Sequence, residues 1–344
     1  MRRIAFALLA AAPVLFAQAP PLTLPEASPR AQVSQTVGLT DIDVSYHRPA
    51  VNGRKVWGGL VPYGQVWRAG ANENTVVTFS SPVRVGGTPL PAGRYGLHML
   101  PTATATAWTV IFSSQSHGWG SYSYDAKEDV ARVPVTPVVA EPTERLAYTF
   151  DDPSEQGVTL SLRWEKLRVP IPVEVDTKAV VVQSLREQLR GLHQFFPEAW
   201  SGAAGWCARH DVNLDEAMTW VDRSLTMRES FTALRTKAAL LDKKGDAKGA
   251  EALRAKALTK ATEVEVNQLG YALLGQKKMD EALVLFQRNV QDHPDSWNAY
   301  DSLAEAYALK GDKAQAAANY RKALDKVKQE DQRTRIQGEL DKLK

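Results

Sequence analysis

The back third of the chain repeats itself at an interval of 34 residues, and that interval limits what it can become. Leu269 returns as Leu303, Ala282 as Ala316, and Phe286 as the aromatic Tyr320. A period of this length is the mark of a helix–turn–helix unit. A single unit cannot hide its own apolar side, so units must stack, and stacking leaves a long shared surface open to other molecules.

Small and large residues fall at complementary places within each unit. From Glu263 to Pro294, Leu269, Gly270 and Ala282 stand where paired helices approach closely, and Phe286 fills the gap between them. The following unit repeats the arrangement with Tyr300, Leu303, Ala304, Tyr307, Gly311, Ala316, Tyr320 and Ala323. These residues resemble the tetratricopeptide repeat family. Poorer copies run from about Phe231 to Leu258 and from about Pro197 to Leu225. Val180 to Phe196 would cap the front, and the charged stretch from Glu330 to Lys344 would close the back with a polar helix. The resemblance implies that the inner face of each first helix docks a protein or peptide partner. By repeat position, Asn267 and Tyr271 occupy that face in one unit, and Asn298, Asp301 and Glu305 in the next.

The front half follows a different pattern. Ile42, Val44 and Tyr46 alternate with Asp43 and Ser45, the period of a half-buried strand. Similar short stretches recur up to Val158–Trp164, separated by turn signals at Gly86-Gly87, Pro91-Ala92-Gly93 and Asp151-Asp152-Pro153. Several short strands predict an all-β sandwich or jelly-roll-like domain, because one open sheet would leave a face and both edges wet. The stretch Val169-Pro170-Ile171-Pro172 reads as a stiff extended linker. The expected order is a leader over residues 1–19, a linker over 20–30 and the β domain over 31–173. A second linker over 174–182 then leads to repeats over 183–330 and a closing helix over 331–344.

Arg2 and Arg3, the apolar run Ile4–Phe16 and the small residues Ala17 and Ala19 form the pattern of an export signal cut near Ala19. The chain is therefore expected to be periplasmic or secreted, with no membrane span once the leader is removed. Cys207 is the only cysteine, so no intramolecular disulfide can staple the fold, and packing must hold it together. A net charge of +3 over 344 residues is too small for a nucleic-acid partner.

The densest motif is the segment from Arg48 to Phe79. It places Trp57, Tyr63 and Trp67 among glycines, with Arg68, Asn72, Glu73 and Asn74 interspersed. Rings beside amides and charges are the ingredients of a sugar or small-molecule site, so Trp57, Tyr63, Trp67, Arg68, Asn72 and Glu73 are candidate ligand contacts. The competing structural reading pairs Arg68 with Glu73 as a buried ion pair and places the rings in the core. This segment, with LPAGRYGLHMLP, AWTVIF, WGSYSYD and SLRWE further on, resembles an exported bacterial family known as domain of unknown function 2911. That resemblance covers about Pro29 to Val173 and implies an all-β exported domain, with no assigned substrate.

Catalytic motifs are missing: there is no HExxH, GxSxG, phosphate loop or GxGxxG. His47, His98 and His117 could meet in space, but their spacing matches no metal motif, so neither metal nor cofactor is expected. The leading expectation is an exported, non-enzymatic scaffold whose repeats hold a protein or peptide while the β domain recognises an unknown ligand. The alternative is a glycan or small-molecule binder, or a hydrolase-like enzyme, built on the Arg48–Phe79 loop. Activity there would need Glu73 to have a raised pKa or a partner carboxylate, with Asp125, Asp129 and Glu165 available.

Overall fold

A computed structural model describes residues 24–104 and 107–344. The expected leader lies outside the described residues. The chain divides into two compact units after Val180.

The first unit is a sandwich of two antiparallel sheets. One sheet has six strands: β1 (Arg30–Val37), β2 (Thr40–His47), β3 (Thr75–Phe79), β6 (Gly93–Leu100), β7 (Trp108–Ser113) and β8 (Asp129–Val135), side by side in that order. The other holds β5 (Thr88–Leu90), β4 (Val83–Val85), β10 (Gly157–Glu174) and β9 (Val138–Ser154). Short turns join β1 to β2, β4 to β5 and β9 to β10, and the β4–β5 hairpin, turned at Gly86-Gly87, belongs to the second sheet. Inward residues of both sheets, among them Ile42, Val77, Leu97, Phe112, Leu160 and Ile171, share one core. That common core is what holds two otherwise wet sheets together.

The expected linker at residues 169–172 is instead the end of β10. Val169 and Ile171 are fully buried, and Val173 pairs with Val85. Alternation explains the difference: Pro170 and Pro172 fall on the outward positions, leaving Val169, Ile171 and Val173 pointing into the core. The neighbouring strand does not need the missing proline donors at that point, since Gly86 donates to the Pro172 carbonyl at 2.9 Å.

The second unit is helical. After α1 (Thr177–Gln188) come α2 (Pro197–His210) with α3 (Leu214–Met227), then α4 (Phe231–Lys243) with α5 (Ala247–Leu258). The series continues with α6 (Glu263–Gly275) and α7 (Met279–Asp292), α8 (Trp297–Lys310) and α9 (Lys313–Lys326), and ends on α10 (Glu330–Asp341). Each pair packs as a hairpin, and α3 rests on α4, α7 on α8, and α9 on α10. Caps set the boundaries: Thr262 and Glu265 form a reciprocal capping box at the start of α6, and Gly311, at φ +87°, ends α8 in the left-handed conformation. The small residues do the work expected of them. Ala282, Phe286, Ala304, Ala316 and Ala323 are fully buried, and Gly270 lies against the Phe286 ring.

Stacking is uneven. Packing is sparse where α5 meets α6, and a cleft of about 910 Å³ opens there, lined in part by Phe231, Arg254, Leu258, Leu269 and Val284. No helix among the described residues is long and apolar enough to cross a membrane.

Candidate functional site

The Arg48–Phe79 loop is anchored by its aromatics. Trp57 meets Trp67, Trp108 and Trp164 edge-on with ring centroids 5.8, 4.8 and 5.8 Å away, and Trp67 stacks on Trp164 at 5.9 Å. Trp57 is 7 % exposed and Trp164 is 1 % exposed, so these rings are core. The indole N–H groups of Trp67 and Trp108 donate to the Gly70 and Thr102 carbonyls at 3.1 Å, whereas those of Trp57 and Trp164 find no oxygen acceptor. The backbone of Trp67 exchanges two 2.8 Å hydrogen bonds with Met99, which continues the β3 position alongside β6. Gly58 at φ +73° lets the chain turn beneath Tyr63, whose ring would collide with a Cβ there. Tyr63 itself is 38 % exposed.

The expected ion pair between Arg68 and Glu73 is not formed. The Arg68 guanidinium lies 6.0 Å from the ring centre of Trp119, and burial lowers its pKa. Glu73 turns the other way, toward His47, with Oε2 3.4 Å from the ring Nε2. The four residues between Arg68 and Glu73 carry the chain through left-handed conformations at Ala69 and Asn72, so the two side chains part. Two pockets result. Trp67, Arg68 and Asn72 line one of about 360 Å³, and Glu73 lines another of about 560 Å³ with Glu26, His47, Asn74 and Arg94.

This larger pocket lies on the outer face of the six-stranded sheet. His47, only 7 % exposed, stands at the end of β2 with its Nε2 3.3 Å from Glu26 and 3.4 Å from Glu73. Asn72 donates to the same Glu26 oxygen at 3.1 Å. Asn74, also 7 % exposed, has a buried Oδ1 with no partner. On the other wall Arg94 donates through Nε to Ser116 at 3.3 Å, while Arg30, paired with His47 across β1 and β2, donates twice to Ser45 at 3.2 Å. Gly96 lets the loop at Gln115 approach the sheet closely, since a Cβ there would strike the Gln115 carbonyl.

The three histidines do not converge. His47 and His117 line the same pocket, whereas His98 is buried against Ser121 and Tyr124. Among the described residues, no group of three or more His, Cys, Asp or Glu side chains is placed to hold a metal ion. The carboxylates offered as partners for Glu73 are engaged elsewhere: Asp125 caps a short turn of helix, Asp129 binds Tyr124 and Arg132, and Glu165 sits in a bulge of β10. The carboxylate that does share a histidine with Glu73 is Glu26. Its position in the presumed linker hid it, and no periodicity or motif around it would have revealed it.

In the repeats, the five expected groove residues divide. Asn267, Asn298 and Glu305 are half-buried. Tyr271 donates to Glu305 at 2.6 Å and to Ser302 at 3.2 Å, and burial, reinforced by Glu305, pushes its hydroxyl pKa upward. Asp301 is 5 % exposed and paired with Arg335 of α10 at 2.5 Å, so the closing helix covers it. The front repeats keep an open trough of about 330 Å³ between α2 and α4, where Gly205, Ala208 and Ala239 leave room beside Arg209 and Arg235. Arg235 lies 5.4 Å from the ring centre of Phe231, and burial, with Arg254 adding to it, lowers its pKa. Among the described residues no carboxylate forms an ion pair with it.

Among curated proteins, none matches this sequence. Solved structures similar to the helical half include the crystal structure of MamA, at 17% identity over 42% of this chain and 85% of that one, with a TM-score of 0.27. A structure titled as a functional characterization of pilF of Pseudomonas aeruginosa is similar at 20% identity over 43% and 67% of the two chains, with a TM-score of 0.28. YrrB, described as a TPR protein with an unusual peptide-binding site, is similar at 19% identity over 46% and 81%, with a TM-score of 0.28. The helical fold rests on the hairpins and the period of this chain itself. Residues 28–173, which span the β-sandwich, match the model of the family described as protein of unknown function (DUF2911).

Proposed function

We propose that this is an exported binding protein without catalytic activity, in which the repeats dock an extended segment of a partner protein and the sandwich recognises a separate small ligand. The observation that carries the docking half is the trough between α2 and α4. Its small residues leave space, and Arg235 presents a partly desolvated guanidinium with no counter-ion. A desolvated arginine without a carboxylate is costly unless something outside supplies the charge, so an acidic segment suits it. Asn267 and Asn298 carry polar contacts onward along the first helices.

The test is a displayed library of acidic peptides selected on the full chain, followed by anisotropy measurements on the selected peptide. Arg235→Gln should weaken that peptide at least about tenfold, the scale of a charge-assisted contact, without a change in the melting temperature of the helical unit. Undiminished affinity in Arg235→Gln would remove the trough from consideration. One observation favours a glycan on the sandwich: Trp119 and Tyr122 stack at 5.9 Å with an interplanar angle of 8°, and they are 59 % and 85 % exposed. Binding of an oligosaccharide that is lost in Trp119→Ala would support that reading.

A further inference from the structure

The pocket on the outer sheet face has more acceptors at one end than its own donors can satisfy. Glu26 and Glu73 offer four carboxylate oxygens, and Asn74 adds a buried, unpartnered Oδ1. Against them stand the Nε2 of His47, which carries one proton at most, the amide of Asn72, and Arg30, beside His47 in register, whose guanidinium donates to Ser45 instead. Water satisfies the exposed carboxylates of Glu26 and Glu73, but the buried Asn74 Oδ1 left without a donor costs about 1–3 kcal/mol, so this end suits N–H groups from outside. The opposite wall is cationic. The bond from Arg94 to Ser116 draws its side chain along the face toward Asn74, because Gly118, two residues on, accepts from the Asn74 backbone N–H at 3.1 Å.

Strand register sets the length of whatever bridges the two ends. Arg94 pairs with Thr78, four residues along β3 from Asn74, so their backbones stand about 13 Å apart. The stem of Arg94 crosses about half of that span. What remains is close to the length of two extended residues, about 7 Å.

We propose that this pocket binds a zwitterionic peptide of about two residues, with its ammonium among Glu26, Glu73 and Asn74 and its carboxylate on Arg94. The inference rests on the reading that the sandwich holds a small ligand, and it names the class. It is independent of the repeat trough. A free amino acid carries the same two charges closer together and reaches only one end.

Calorimetry on the full chain with Ala-Ala, its N-acetyl form, its C-terminal amide and free alanine provides the test. Ala-Ala should bind, and each blocked form and free alanine should bind at least tenfold more weakly. Glu73→Gln and Arg94→Gln should each cost about tenfold, one charge-assisted contact, and because both side chains are exposed the variants should melt with the wild type. Equal binding of the blocked forms, or no binding of Ala-Ala at millimolar concentration, overturns the proposal. An oligosaccharide or a zinc ion that binds in a Glu73-dependent way while Ala-Ala does not also overturns it, and leaves the sandwich a ligand-binding domain of another class. If nothing binds, the small-ligand reading falls as well, whereas the Arg235 experiment is unaffected.

Discussion

Gly270→Ala separates packing from helix propensity in the repeats. Gly270 lies inside α6, where propensity alone predicts that alanine stabilises by about 1 kcal/mol. A Cβ at this position, however, would stand 2.5 Å from Cζ and 2.6 Å from Cε1 of Phe286. The ring has nowhere to go. It is fully buried and meets Tyr271 edge-on at 5.3 Å, and Tyr271 is held by its hydrogen bonds to Glu305 and Ser302. Overpacking of this kind costs about 1–3 kcal/mol, and a clash with a boxed ring belongs at the upper end. The net effect is a loss of about 2 kcal/mol, or about 4–8 °C in the melting temperature of a unit this size. Thermal unfolding followed at 222 nm measures it. Gly202→Ala is the control: Gly202 is exposed on α2 with open space around it, so alanine there should stabilise by up to about 1 kcal/mol. Shortening the ring in the double variant Gly270→Ala, Phe286→Leu should recover part of the loss. If Gly270→Ala is as stable as the wild type, the close approach of α6 and α7 does not explain the glycine.

Two further outcomes follow from buried titratable groups. Burial, partly opposed by attraction to Asp129, lowers the pKa of His98 to about 4, so its ring should stay neutral down to about pH 5 by NMR. The unfolded chain takes up that proton near 6.5, so native stability falls as pH drops from about 6.5 toward 4, and His98→Gln should flatten the loss; titration of His98 near 6.5 would contradict its burial. Arg335→Gln should leave the Asp301 carboxylate without its counter-ion beneath α10 and cost about 2–3 kcal/mol, seen as faster hydrogen exchange in α10. Burial already raises the pKa of Asp301, so the deficit should shrink as the pH is lowered and the acid is neutralised.

The residues that form the two pockets show how far the sequence could be followed. Glu73 and Asn72 stood out because they sit in a dense motif, and His47 because histidine is rare in this chain. Their partners could not be read. Glu26 and Arg94 reach the same pocket from segments distant from the motif, and nothing local records that β2, β3 and β6 lie side by side. The rings of the loop allowed two readings, core or stacking platform; Trp57 is buried and Trp67 packs against the core, while the stacked exposed pair is Trp119 with Tyr122. Asp301 had the repeat position of a groove contact, but α10, which follows the last repeat, packs over it.

Periodicity is a local property, so the sequence by itself determined that the front half alternates as strands and that the back half pairs helices every 34 residues. Spacing along the chain also settled which small residues must lie under which rings, as with Gly270 and Phe286. Only the tertiary structure decided which side chains share a pocket, which charges pair, and where the helical stack loosens between α5 and α6. Those outcomes depend on strand register and on helices meeting across long stretches of sequence. A shift of one residue in strand register would send the same side chains to the opposite face, and one along a helix would turn them by about 100°.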